Sequence, residues 1–170
     1  MATLFRWLLG LIVALGFFVA ALFVGARFHD GPLGPIPGGA FASGEIVAEP
    51  VSDWSFARDV PEIQLQLASE NSSRTVWILV DDGKAYVPCA TRFPPGKTWY
   101  KHAAEDGRAT LRIEGHRYPV TLTRAQDPAL AERMRAEVQR KYKRVPPGSE
   151  SEVWIFSVAS RTDGAAPGAR

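Results

Sequence analysis

Arg74-Thr-Val-Trp-Ile-Leu-Val-Asp-Asp-Gly-Lys-Ala-Tyr-Val-Pro-Cys-Ala90 is the stretch on which the fold turns. A β-branched and aromatic run, 75–80, meets Asp82-Gly83, and a second run follows. Asp-Gly between two such runs predicts a hairpin, because both central residues of a type I′ turn take positive φ. The first run is apolar on both faces, as a strand covered on both sides should be. The same design recurs downstream, where 109–114 and 117–124 flank Gly115-His116. There Leu111 and Ile113, then Tyr118, Val120 and Leu122, alternate with polar residues, which predicts two strands with one face inward.

Upstream, Glu62-Ile-Gln-Leu-Gln-Leu67 alternates strictly and reads as a half-exposed strand, with Asn71-Ser-Ser73 as the turn after it. A short apolar run at 46–48, Pro50, and the aromatic pair Trp54 and Phe56 precede it. Between the two hairpins, Pro94, Pro95 and Gly96 forbid regular structure, and Thr98 is placed to cap a short helix starting at Trp99. Asp127-Pro128 begins a longer helix, with Asp as N-cap and Pro at the first helical position. Leu130, Met134, Val138 and Tyr142 give it one apolar face, and Pro146-Pro-Gly148 ends it. A last apolar strand covers 152–158. This order of elements predicts a mainly β protein, a small antiparallel barrel with one long and one short helix.

The chain begins differently. Residues 7–26 run about 20 residues without a charge, about 30 Å of helix, which matches the hydrocarbon thickness of a bilayer. Signal peptides have shorter apolar cores, so the length predicts an uncleaved single-pass anchor, although Val24-Gly25-Ala26 resembles a cleavage site. Arg6 precedes the span, and only Arg27 follows it before Arg58. The positive-inside rule then places the soluble part on the non-cytoplasmic side. Residues 1–6 form a tail, 7–26 the anchor, 27–43 a Pro/Gly linker, 44–160 the folded domain and 161–170 a disordered tail. The linker, Gly31-Pro-Leu-Gly-Pro-Ile-Pro-Gly-Gly39, is expected to act as a semi-extended spacer lifting the domain off the membrane.

Composition excludes more than it selects. A net charge of +2 is too small to call for nucleic acid, and the single Cys89 excludes an internal disulfide framework and a multi-cysteine metal site. No Gly-x-Ser-x-Gly, phosphate-binding glycine loop or His-Glu-x-x-His occurs, and no metal is expected. The most suggestive segment is 92–102, where Arg92, Lys97, Lys101 and His102 mingle with Trp99 and Tyr100. Cations and exposed amides there can hold a phosphate while a ring stacks on a planar cofactor. The plain alternative is a loop whose Trp and Tyr plug the core while its cations stay solvated. Arg74, at the head of the central strand, can meet a phosphate bidentately or stand as a charge at a strand end.

The order of these features resembles the FMN-binding split-barrel superfamily, the pyridoxamine-phosphate-oxidase-like proteins and the deazaflavin-dependent nitroreductases. Arg74-Thr-Val-Trp-Ile-Leu, Lys97-Thr-Trp-Tyr-Lys-His102 and the hairpin 108–122 carry the likeness, which spans about residues 60–158. The chain departs from the pattern by reading His102-Ala-Ala-Glu-Asp-Gly where an Asn-Pro often follows the Trp-Tyr helix. The resemblance implies a split barrel and a homodimer with FMN or a deazaflavin at the interface. Arg74, Lys97 and Thr98 would then meet the phosphate, with Trp99 near the ring and a small electron acceptor as substrate. A barrel of the same fold can instead serve without catalysis, as a membrane-tethered ligand-binding or assembly module.

Overall fold

The computed structural model describes residues 2–142 and 152–162. Helix α1, Ala2–Ala26, is followed by strands β1 (Glu45–Ile46), β2 (Ile63–Leu67), β3 (Ser73–Val76), β4 (Leu79–Asp81) and β5 (Lys84–Ala90). Helix α2 (Trp99–Glu105), strands β6 (Arg108–Ile113) and β7 (His116–Ala125), helix α3 (Pro128–Lys141) and strand β8 (Val153–Ser160) complete it. The expected disordered tail 161–170 lies outside the described residues apart from its first two, and the helix stop at 146–148 lies wholly outside them.

One sheet runs in the order β3-β2-β6-β7-β8-β5-β4, every neighbour antiparallel, with β1 alone parallel to β7. Its two edge strands, β3 and β4, are separated in sequence only by Trp77 and Ile78. Six strand-to-strand steps in a flat sheet would put those edges about 29 Å apart, whereas two linking residues reach about 11 Å at most. The sheet therefore curls until its edges nearly meet, and the barrel is split where β3 turns into β4. The single strand expected over 75–80 is in fact these two edge strands. Burial on both sides was legible in its composition, but the break that lets one run serve both edges was not.

The β4–β5 turn has Asp82 at φ 47° and Gly83 at φ 70°, both positive as a type I′ turn requires. In the β6–β7 hairpin the positive-φ pair is Glu114 (49°) and Gly115 (85°), so the turn sits one residue before the expected Gly115-His116. His116 opens β7 opposite Ile113.

Ile63, Leu65, Leu67, Val80, Val87, Leu111, Val120 and Phe156 fill the barrel, each at most 2% exposed. A second apolar layer, Leu130 and Met134 against Leu79, Tyr86 and Ile155, packs α3 on the outer face of β4, β5 and β8. Helix α3 is capped as read, the Asp127 carboxylate accepting from the Ala129 amide at 2.9 Å. Its C-terminal end covers the split: the Tyr142 ring stacks on Trp77 at 4.0 Å, and Lys141 donates to the Ile78 carbonyl at 2.8 Å.

The linker is the largest departure from expectation. Residues 27–43 form a strap across the outer face of β3, β2 and β6. Gly38 and Ser73 exchange backbone hydrogen bonds at 3.0 and 3.1 Å, and the Ser73 hydroxyl donates to the Gly39 carbonyl at 2.6 Å. The Phe41 amide donates to Gln66 Oε1 at 2.8 Å. Arg112 clasps the strap from β6, donating to Asp30 Oδ1 at 2.8 Å and to Gln64 Oε1 at 2.6 Å. The same guanidinium lies over the Phe41 ring, 4.4 Å from its centroid. The glycines serve close approach here: a Cβ on Gly38 would stand 1.8 Å from the Gly31 carbonyl oxygen, and one on Gly31 would stand 1.9 Å from Arg112 Nη2. Burial pushes the Asp30 carboxyl up, but hydrogen bonds from Ser43, Ala42 and Arg112 outweigh it and bring it down to about 2.

Candidate functional site

Two of the predicted binding residues, Arg74 and Trp99, meet at the end of the barrel that α2 covers. Helix α2 lays Trp99 and Ala103 inward, 4% and 1% exposed, so this end is closed by the chain's own side chains. The Trp99 ring packs on Phe156 at 5.7 Å. Tyr100 meets Trp154 edge-on at 5.1 Å and is spent on packing too.

Arg74 lies opposite Leu65 in the β2–β3 ladder, so its side chain leaves the sheet on the core side. The guanidinium lies 5.8 Å from the Trp99 ring centroid. Its Nη2 donates to Glu70 Oε2 and, at 3.3 Å, to the Ser72 hydroxyl, while Nε is buried without a hydrogen-bond partner. The two side chains are 16% and 17% exposed, so this is a largely desolvated ion pair. Burial pulls the Arg74 pKa down, and the Glu70 carboxylate opposes that pull. Cys89 is 2% exposed in the same core, and burial pushes its thiol up to about 11. It is a protonated core residue at neutral pH.

The other two predicted residues differ from each other. Lys97 Nζ donates to the Phe93 carbonyl in its own loop and also reaches the buried Cys89 thiol. Thr98 occupies the N-cap position of α2, as read, but its hydroxyl makes no capping bond and the residue is exposed. Arg74 and Trp99 are thus brought together, and Lys97 reaches the Cys89 thiol that Arg74 also faces, whereas Thr98 lies exposed outside this group.

Glu70 is the residue that sequence reasoning missed. Its second oxygen, Oε1, meets His102 Nδ1 at 2.7 Å. One carboxylate in the β2–β3 turn therefore joins the core arginine to a half-exposed imidazole on α2. Ser69, Glu70, His102, Glu105 and Asp106 line a shallow cleft of about 240 Å³ beside it. Asp106 is bound by Arg108 at 2.8 Å, and those hydrogen bonds hold its carboxyl down at about 2. Glu70 and Arg74 stand at i and i+4, but nothing in a single sequence links Glu70 to His102 across 32 positions. No group of three or more His, Cys, Asp or Glu that could hold a metal occurs among the described residues.

The model of a family described as an uncharacterized protein conserved in bacteria, DUF2255, matches residues 61–162. No curated protein matches the sequence. Among solved structures, the chain is similar to a protein assigned as a pyridoxamine 5'-phosphate oxidase from Listeria innocua. The identity is 11% and the TM-score 0.42, over 58% of this chain and 82% of that one. It is also similar to a NimC/NimA family protein from Clostridium acetobutylicum, at 16% identity and a TM-score of 0.37, over 63% of this chain and 75% of that one.

Proposed function

The chain belongs to the DUF2255 family, and we propose that it works as a membrane-tethered, non-catalytic split-barrel module that takes a small polar ligand in the cleft beside α2. The observation that carries this reading is the burial of Trp99 in its own core against Phe156, with Arg74 held over it by Glu70. A flavin needs an open ring face and cations free to receive its phosphate. Trp99 at 4% exposure offers no face, Arg74 is paired with Glu70, and Lys97 is engaged by the Phe93 carbonyl and the Cys89 thiol. In this reading Arg74, Lys97 and Trp99 are spent on the barrel's own contacts in one subunit, which weighs against FMN or a deazaflavin, while Thr98 stays exposed.

The cleft points to a different ligand chemistry. Glu70, Glu105 and Asp106 line it together with His102 and Ser69, but Glu70 is paired with Arg74 and His102 and Asp106 with Arg108, which leaves Glu105 to meet a ligand. A small ligand carrying one amine suits that lining. The homodimer implied by the resemblance belongs to the flavin reading, where a second subunit would complete the site. In the module reading one chain suffices. In this reading the apolar span Leu4–Ala26, exposed along most of its length although Ala26 itself is buried, serves as the single-pass anchor, and the positive charge ahead of it favours the barrel on the non-cytoplasmic side.

Titration of the detergent-solubilised full chain with FMN and with a deazaflavin, followed by cofactor fluorescence and by thermal stability, tests the proposal. The expected result is a folded protein that neither binds nor is stabilised at millimolar cofactor. Micromolar binding weakened by Arg74→Ala or Lys97→Ala would overturn it and restore a flavin-dependent oxidoreductase.

A further inference from the structure

We propose that the strap clamps the barrel against the lipid headgroups, so that the strap-covered side of β3, β2 and β6 faces the membrane, with the strap as the contacting layer, and the barrel does not hang on a loose tether. The inference rests on α1 being the anchor. Hydrogen bonds run without a gap from the span into the sheet. Arg27, Phe28 and His29 donate to the carbonyls of Val24, Gly25 and Ala26 at 3.1–3.2 Å, so tight turns follow directly on the end of the helix. The Gly39 amide then donates to the His29 carbonyl at 2.9 Å, and the Gly39 carbonyl accepts from the Ser73 hydroxyl at 2.6 Å. His29 itself is pinned, Nδ1 lying 2.9 Å from the Gly31 carbonyl oxygen.

Two residues lie between Ala26 and His29, a reach of about 10 Å at most, and the hydrogen-bonded steps to Gly39 and on to Ser73 add about 5 Å each, so β3 is held within about 20 Å of the bilayer's edge at a fixed place. A flexible linker of the same length would let the barrel roam about 23 Å from it. Phe28 supports the contact. It is 87% exposed, the most exposed large apolar residue described, and it continues the apolar surface of α1 beside Arg27. An aromatic ring and a cation at the end of a span match the headgroup layer. The Arg112–Asp30 clasp keeps the strap flat: Arg112 Nη2 also donates to the Asp30 carbonyl at 3.0 Å, and the guanidinium is 11% exposed.

The test uses the full chain in phosphatidylcholine vesicles whose headgroups carry nitroxide. A bimane is attached at Ala42→Cys on the strap or at Gln139→Cys on α3, which covers the other side of the barrel. Cys89 is buried and takes no label. The expected result is severalfold stronger quenching at 42 than at 139, with the difference lost in Arg112→Ala and in Asp30→Ala, the second of which leaves every barrel strand unchanged. Equal quenching at both sites in a chain that floats with the vesicles would overturn the clamp and leave the anchor intact. A chain that fails to float would overturn the anchor itself, and the clamp with it.

Discussion

Replacing Trp99 with alanine removes a side chain that is 4% exposed and wedged between Phe156 and the Arg74 guanidinium. A buried tryptophan takes about 200 Å² out of water, which at about 25 cal/mol per Å² bounds the loss near 5 kcal/mol. Core aromatic truncations cost about 3–5 kcal/mol in practice. Losing the cation over the ring adds a further fraction, so about 4 kcal/mol is expected, a fall in Tm of about 16 °C for a domain of this size. Trp99→Phe, which keeps a ring in place, should lose less than half of that. The assay is thermal and urea unfolding of the full chain in detergent, followed by near-ultraviolet circular dichroism, to which the barrel domain contributes four Trp and four Tyr and the span one Trp. If Trp99 instead served a cofactor, the alanine variant would change stability by about 1 kcal/mol or less, the usual range for a residue outside the core. A Tm drop under about 4 °C would refute the placement of Trp99 as core and the functional reading built on it.

Glu70→Ala leaves Arg74 buried without its counterion, and a cost of about 3 kcal/mol is expected, well above the value of a surface pair. The Glu70→Ala/Arg74→Met pair should cost clearly less than the sum of the two single changes, and additivity in urea melts would show the bond to be ornamental. Strap docking should depend on acid through Asp30, whose carboxyl falls from 3.8 free to about 2 folded. A depressed carboxylate stabilises fully above pH 3.8 and loses that contribution as pH falls through about 2. With the side chain 31% exposed, solvent screening leaves about 1 kcal/mol. Hydrogen exchange at the Ala42 and Ser43 amides should therefore accelerate between those pH values in the wild type, and show no such step in Asp30→Asn.

Much of this architecture is local chemistry and was legible residue by residue. Alternation set the inward faces of β2, β6 and β7, because a strand's side chains alternate whatever lies across from them. Asp82-Gly83 and Asp127-Pro128 specify a turn and a helix start through their own backbone preferences. The apolar length of α1 follows from composition alone. The rest depended on what came to lie opposite what. The run 75–80 is one apolar stretch in sequence, and only the curling of the sheet makes it both edges of a split barrel. Trp99 beside Arg74 reads equally as ring platform or core plug, and its burial depends on Phe156 and Glu70, brought there from β8 and the β2–β3 turn. The Pro/Gly stretch shows the limit most plainly: glycine permits both a free chain and the close approach of two backbones. Arg112, more than seventy residues further along, made it the second, since its hydrogen bonds to Asp30 and Gln64 exist only once the strap and the sheet have met.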